Sequence, residues 1–374
     1  MITVKDVARH AGVSIGTVDR VIHGRGRVAE ETEQRVMAAI AALDYQPNLH
    51  ARNLSQSKTF LFDVMTPAPE QDGGYWRIPL NGVHRAIGRL TLNNVRIRRR
   101  SFDRHDEASF RAALDRFATG AEEPSDRVDG SVGDASDRAL ADGLLVAPVV
   151  SRESQSDLLA AIADLGIPAV SFDSRFVDRG AGEPWIPFVG QDPYQGGAVA
   201  GRLSSMLVRS PSGTVASVTL GRADEHLLRR ASGFHEFWQR FPDVQRAEIV
   251  LSDRSEKEYL RGVQQKLRPL LSELSALFVT NAASELVVSA LRKLEVEHHI
   301  PLVGYDLLSR NIDLIRSGDI DAIISQKPEL QGYEAASALA HHVVFEKQLP
   351  DEILMPIEIV LAENVDSFIA AEVT

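Results

Sequence analysis

The stretch that most constrains this chain is its N-terminal run, Val4-Lys5-Asp6-Val7-Ala8-Arg9-His10-Ala11-Gly12-Val13-Ser14-Ile15-Gly16-Thr17-Val18-Asp19-Arg20-Val21-Ile22. Val4, Val7, Ala8 and Ala11 recur at helical spacing, and Thr3 with Asp6 resembles an acidic capping box. Gly12 supplies a break, and Ser14 is placed to cap a second helix running to about Ile22. Ala8 is small where two helices must cross closely, and Val13, Val18 and Val21 can close a small core between them. His23–Ala29, with two glycines and two arginines, reads as a loop, and a third helix from about Glu30 puts Val36, Ala39, Ile40 and Leu43 on one face. It ends at Tyr45-Gln46-Pro47-Asn48, because Pro47 disfavours helix at the residue before it. The spacing predicts a helix–turn–helix whose second helix turns Ile15, Gly16, Thr17, Asp19, Arg20 and His23 outward. A helix of this size fits the major groove, and an arginine can bond a guanine edge bidentately. An ordinary three-helix subdomain with no role on DNA has the same spacing and stands as the alternative.

From Thr59 the pattern changes to short apolar runs alternating with amphipathic helices. Strands are expected at 60–65, 95–100, 144–149, 168–172, 214–220, 247–252, 276–280, 302–305, 322–325 and 356–361. Helices are expected between most of them, among them 107–118, 154–165, 224–240, 256–270, 282–294 and 330–345. Such alternation implies parallel sheets with helical crossovers, and so many strands suggest two lobes. Thr119–Arg138, polar and rich in Gly, Ser and Asp, interrupts the pattern and reads as a surface loop.

Composition narrows the function classes. The 374 residues are 44% hydrophobic and 25% charged, which is globular, and hold no cysteine, so disulfides and thiolate metal sites are excluded. No stretch approaches the roughly 20 apolar residues that span a bilayer, and the charged N-terminus does not read as a secretory segment, so a soluble cytoplasmic protein is expected. The net charge of −11 is unevenly spread: residues 1–58 carry +2 and the remainder −13. A mildly basic head on an acidic body suits a module that approaches phosphate while the body stays off it.

Two motifs that suggest enzymes fail on context. Gly12-Val13-Ser14-Ile15-Gly16 matches the nucleophile elbow of hydrolases, but a helix precedes it where a strand is required. Gly24-Arg25-Gly26-Arg27-Val28-Ala29 matches a dinucleotide fingerprint with no strand leading into it. His298-His299 and His341-His342 lack ligand partners at useful spacing, so no metal, no cofactor and no catalytic residue is expected. In the body, Trp76 follows the first strand, where a loop would cover a cleft, and tryptophan can stack on the apolar face of a sugar, though most tryptophans merely pack. Asp173 and Asp306 end predicted strands, where open α/β sheets bind ligands, and Arg230 lies early in the helix after strand 214–220. Carboxylates and guanidinium suit vicinal hydroxyls; a helix or hinge cap is the plainer reading of Asp173 or Gln326.

The segment VKDVARHAGVSIGTVDRVIHGRGRV, followed by Tyr45-Gln46-Pro47-Asn48 and Ala51-Arg52-Asn53-Leu54, resembles the lactose-repressor/galactose-repressor (LacI/GalR) family of transcriptional regulators. Gly233-Phe234, Thr280-Asn281, Val303-Gly304-Tyr305-Asp306 and Ser325-Gln326 extend the likeness in the family's order. The resemblance implies that Ser14, Ile15, Gly16, Thr17 and Arg20 face DNA, with Ile15 and Gly16 at the variable reading positions. Asp19 and His23 depart from the usual serine and asparagine and leave the operator sequence open. Arg25 and Arg27 are candidates for phosphate or base contact, and a solvated loop is their alternative.

Residues 48–57, including Asn48, Ala51, Arg52 and Leu54, resemble the family's hinge helix. That implies a segment too short to hold itself helical, which folds in pairs over the minor groove with Leu54 as a wedge; a flexible linker is the alternative. The resemblance also places Arg230, Asn281, Asp306 and Gln326 around an effector, most simply a sugar, with a nucleoside, purine or polyol as alternatives.

The expected architecture is an all-α helix–turn–helix head over 1–46, a hinge over 47–58, and a two-lobed α/β sensor similar to periplasmic binding proteins over 59–374. Lobe 1 is expected over 59–193 and 326–353 and lobe 2 over 194–325 and 354–374. The expected partners are palindromic double-stranded DNA, a small effector and a second copy of the chain, without a dedicated tetramer helix and without a membrane. A solute-binding protein with no DNA role, or an enzyme, would be the rival classes.

Overall fold

The computed structural model describes residues 4–22, 26, 28–43, 59–90, 95–122, 139–177, 182–208, 211–222, 224–252, 255–296 and 298–372. It divides into two units, Met1–Lys58 and Thr59–Thr374. In the first, α1 (Val4–Ala11), α2 (Ile15–Ile22) and α3 (Glu30–Ala42) pack on a core of Val7, Ala8, Ala11, Val18, Val36 and Ala39. Gly12 has φ 65°, a left-handed turn that a side chain would strain, and Val13 N–H closes it onto the Ala8 carbonyl at 3.0 Å. The Ser14 hydroxyl accepts from Thr17 N–H at 3.1 Å and so caps α2. Glu30, Glu31 and Glu33 fill the first turn of α3, where carboxylates meet the positive end of the helix dipole.

The second unit holds two six-stranded sheets. The first contains β1 (Phe60–Pro67), β2 (Val95–Phe102), β3 (Gly143–Val146), β4 (Ala169–Phe172), β5 (Phe188–Gly190) and β11 (Glu352–Leu354), in the order β11-β5-β4-β3-β1-β2. The second contains β6 (Gly213–Leu220), β7 (Val244–Leu251), β8 (Leu274–Val279), β9 (Leu302–Tyr305), β10 (Ala322–Ser325) and β12 (Glu358–Val360), in the order β12-β10-β9-β8-β6-β7. Every pairing is parallel except β10 with β12. Central strands such as Leu302–Tyr305 and Ala322–Ser325 are buried along their whole length, because helices cover both faces. Successive residues alternate between the two cores of the second sheet: Leu277 and Val279 on one side, Phe278, Phe234 and Trp238 on the other.

β5 and β11 were not among the expected strands; each is three residues long, too short to print a period. The helices Arg77–Arg89 (α4), Pro193–Leu207 (α7) and Ser309–Ser317 (α11) lie between strands, as the alternation implies, and Val365–Glu372 (α13) follows the last strand. The remaining helices are Glu107–Thr119 (α5), Arg152–Leu165 (α6), Glu225–Trp238 (α8), Glu256–Leu267 (α9), Ser284–Lys293 (α10) and Pro328–Phe345 (α12). Most of the polar segment 119–138 lies outside the described residues.

The chain passes between sheets three times, between β5 and β6, β10 and β11, and β11 and β12. In each lobe two helices cross at glycines. A Cβ on Gly82 of α4 would strike the Glu329 carbonyl of α12, and one on Gly197 of α7 would strike the Arg230 carbonyl of α8. The basic strand β2 is explained by a buried triad: Asp63 of β1, fully buried, accepts from Arg98 Nε at 2.6 Å and Arg100 Nε at 3.0 Å.

Candidate functional site

The C-terminal ends of strands in both sheets converge on one cavity of about 680 Å³, the position where open α/β sheets bind ligands. Tyr75 and Trp76 come from the connection after β1, Arg104 follows β2, and Asp173 follows β4. From the other lobe come Arg230 of α8, Asn281 after β8, Asp306 after β9 and Gln326 after β10. Trp76, Asp173, Arg230, Asn281, Asp306 and Gln326, singled out from the sequence, therefore line the same cavity. Asp173 and Asp306 occupy matching places in the two lobes, and both have φ 65°. Aspartate tolerates this left-handed backbone better than most residues, and both side chains line the cavity.

A continuous set of hydrogen bonds runs across the lobes. Tyr75 Oη donates to Asp173 Oδ1, and Gln326 Nε2 donates to Tyr75 Oη and to Asp306 Oδ1, both at 2.9 Å. Arg230 Nη2 donates to Gln326 Oε1 at 3.0 Å and Nη1 to the Thr280 carbonyl at 2.8 Å, while its guanidinium lies 3.6 Å from the centroid of the Tyr305 ring. Tyr305 Oη in turn donates to Gln191 Oε1 at 2.7 Å, and Gln191 Nε2 donates to the carbonyls of Ser325 and Pro356. Gln191 thus ties the site to two of the interlobe passages. At the rim, Arg104 donates to Asp72 at 2.6 Å and pairs with Asp224 of the opposite lobe. Trp76 packs edge-on against Tyr75 and donates from Nε1 to Asp72 at 2.8 Å; only 2% of it is exposed, so much of its face is already covered.

Burial dominates the electrostatics. It raises the Asp173 carboxyl to about 6 against the pull of its Tyr75 hydrogen bond and of Arg230. It raises Asp306 to about 6 against Arg230 and Gln326. Burial also lifts Tyr305 to about 12, and burial together with Asp173 lifts Tyr75 well above its ordinary value. His226, hydrogen-bonded to Ser174 Oγ at 3.2 Å, is pushed well below its usual range by burial and by Arg230 and Arg104, so it is neutral at pH 7. Among the described residues no group of three or more His, Cys, Asp or Glu is placed to hold a metal ion. The arrangement offers two buried carboxyls, an amide and a stacked guanidinium, the donor and acceptor set that holds vicinal hydroxyls.

Sequence reasoning missed Tyr75, Arg104, His226 and Tyr305. Arg104 carried the same positional signal as Asp173, the end of a strand, whereas Tyr75 and His226 matter through partners in the opposite lobe.

In the head, Ile15 is 48% exposed, and Ser14, Gly16 and Arg20 are exposed beside it, with Thr17 half-buried. Ser14 Oγ is shared between the cap and Thr17 Oγ1 at 2.9 Å, and Arg20 lies along its own helix with Nε donating to the Gly16 carbonyl at 3.0 Å. His23, Arg25, Arg27, Asn48, Ala51, Arg52 and Leu54 lie outside the described residues.

Residues 65–347 match the family described as "Periplasmic binding protein domain", and residues 3–48 match "Bacterial regulatory proteins, lacI family". The HTH-type transcriptional regulator MalR of Streptococcus pneumoniae is 39% identical over 93 residues, 25% of this chain and 28% of that protein. The ribose operon repressor of Bacillus subtilis is 48% identical over 67 residues, 18% of this chain and 21% of that protein. The chain thus spans about a quarter of the length of these relatives. Among solved structures, one assigned as a LacI transcriptional regulator from Bacteroides fragilis superposes with a TM-score of 0.70 at 23% identity, over 83% of this chain and 99% of that one. A periplasmic solute-binding protein from Actinobacillus succinogenes with bound D-allose gives 0.67 at 15% identity, over 83% and 100%. At these identities the likeness is one of fold.

Proposed function

The chain belongs to the periplasmic binding protein domain family, with a head of the lacI family of bacterial regulatory proteins before it, and from that membership we propose a DNA-binding transcriptional repressor governed by a sugar-like effector. The observation that carries the reading is the cavity itself: donors and acceptors from both lobes meet around it on a chain whose other unit exposes Ile15 and Arg20 from a capped second helix. Relatives named for ribose and sucrose operons favour a sugar as effector and repression as the outcome. In this reading Trp76, Asp173, Arg230, Asn281, Asp306 and Gln326 hold the effector. Ser14, Ile15, Gly16, Thr17, Arg20, His23, Arg25 and Arg27 meet the major groove and its phosphates. Asn48, Ala51, Arg52 and Leu54 act at the minor groove. One head covers a half-site, so the working form is a homodimer on a palindrome, and its place is the cytoplasm, where the DNA is. No described helix is long and apolar enough to cross a membrane. The chemistry required is binding, not catalysis.

The effector acts only if it prefers one arrangement of the lobes over the other; equal affinity for both would shift nothing. The test is operator selection from random duplexes, then titration with and without a sugar that shifts the melting temperature. Arg230→Ala and Asp306→Asn should lose the response to sugar while keeping operator affinity without it. Arg20→Ala should cost about 1–3 kcal/mol on the selected operator and relax preference at one position per half-site. Uniform weakening on every sequence would reassign Arg20 to phosphate, and no preference for any duplex would overturn the regulator reading.

A further inference from the structure

The polar atoms left over inside the cavity bear on the charge of its occupant. Arg230 is held on three sides, by Thr280, Gln326 and the Tyr305 ring, and its buried Nε has no partner. Arg104 ends both terminal nitrogens on aspartates, Asp72 and Asp224, and its Nε is buried without a partner. At the rim Arg310 is paired with Glu285 at 2.6 Å, and Arg77 with Glu70. Arg104, Arg310 and Arg77 are thus each matched by carboxylates of the chain's own, and Arg230 alone stands opposite the two carboxyls of Asp173 and Asp306.

The carboxyls have capacity to spare. Asp173 and Asp306 are each engaged through Oδ1, by Tyr75 and Gln326, which leaves Oδ2 of each buried carboxyl without a donor among the described residues. Asn281 gives its Nδ2 to the Leu220 carbonyl and keeps a buried Oδ1 with no partner. The charge facing the cavity is therefore negative in balance, two carboxyls against the one guanidinium of Arg230, and an anion entering it would lie against two carboxylates where water screens poorly.

We propose that the cavity selects by charge: its occupant is a polyhydroxylated ring, uncharged or bearing an ammonium group, that donates to Asp173, Asp306 and Asn281, and phosphorylated or carboxylated sugars are excluded. The proposal rests on the reading of the cleft as a sugar site and narrows it. Discrimination of this kind comes from the repulsive element as much as from the attractive one.

Calorimetry on the full chain with four sets of probes tests it: neutral pentoses and hexoses, the matching amino sugars, the matching phosphate esters and uronic acids, and the methyl esters of those uronic acids. The uronate and the phosphate ester should bind at least about a hundredfold more weakly than the best neutral sugar. The methyl ester, larger but uncharged, should recover most of that loss. In Asp173→Asn and Asp306→Asn the neutral sugar should weaken while the uronate does not, so the ratio between them shrinks. An anionic sugar that binds as tightly as its neutral counterpart overturns the charge argument and leaves the sensor reading standing. So does a methyl ester as weak as the uronate, which would make size the cause. If no sugar of any charge binds, the sensor reading falls and this proposal with it.

Discussion

At the residue scale the second unit keeps charge in places where charge is costly, and each instance makes a different prediction. Asp63 neutralises Arg98 and Arg100 inside the first lobe, and Arg98 Nη1 and Arg100 Nη1 reach on to the carbonyls of Gly120 and Ala121. Asp63→Asn would remove the buried carboxylate that Arg98 and Arg100 share, leaving Glu122 at 3.2 Å from Arg98, so it should lower unfolding free energy by about 3 kcal/mol in urea titrations, the low end of the cost of breaking a buried pair. A loss under 1 kcal/mol would mean that water or the neighbouring carbonyls already carry those charges. Asp173 and Asp306 behave differently, because burial raises both to about 6. The folded chain then holds protons that the unfolded chain releases, so their contribution to stability falls as pH rises from about 4 to about 6 and is level above that, by up to about 3 kcal/mol per group. The groups facing them are Tyr75, Gln326, Arg230, Arg104 and Asp72. Asp306→Asn should flatten that part of the stability profile. A sugar donating to the ionised carboxyls should bind more tightly at pH 7 than at pH 5 and release protons on binding. Calorimetry in buffers of different ionisation heat measures the release, and proton uptake would contradict the assignment.

At the element scale, close helix crossings place the site. Gly197 lets α7 lie against the backbone of α8 at Arg230, and Gly196 faces the hydroxyl of Tyr305, the ring beneath that guanidinium. Gly197→Ala must push α8 away, because the new Cβ meets a carbonyl and not the flexible end of a side chain. Overpacking of this kind costs about 1–3 kcal/mol, and here it should also weaken sugar binding by displacing Arg230. Gly82→Ala, at the crossing of α4 and α12, should cost similar stability but act on the Trp76 side of the cavity. Equal stability in either variant, by thermal melting, would show that the helices can slide apart freely. In the head, the cap from Ser14 to Thr17 N–H is worth about 1 kcal/mol, so Ser14→Ala should lower the stability of the head by that amount.

At the scale of the whole molecule, the two lobes are joined by bonds of the protein's own. Arg104–Asp224, Arg222–Glu107 at 3.3 Å, Ser174–His226 and Tyr75–Gln326 all cross the cleft. Asp224→Asn leaves Arg104 with Asp72 alone and should shift the lobes toward an open arrangement. The expected result is a larger radius of gyration by X-ray scattering and a loss of about 1–3 kcal/mol in sugar binding. Unchanged scattering would assign the pair to the rim and not to closure.

The head and the class of the body are legible in the order of residues alone. The turn at Gly12, the cap at Ser14 and the apolar faces of three helices are local, set by residues a few positions apart, and so they are legible in one dimension. The alternation of buried strands with helices announced parallel sheets for the same reason. Asp173, Arg230 and Asp306 were readable as candidates because strand ends are readable, whereas Gln326 and Asn281 came from the family resemblance. Which of these groups meet depends on the folded chain. Gln326 bonds Tyr75 across 251 positions of chain, and Arg104 reaches Asp224 across 120. Such pairings leave no period in the sequence, since they depend on how two lobes are set against each other and not on any local spacing. The protonation of the carboxyls follows from the same packing, because burial is a property of the assembled core.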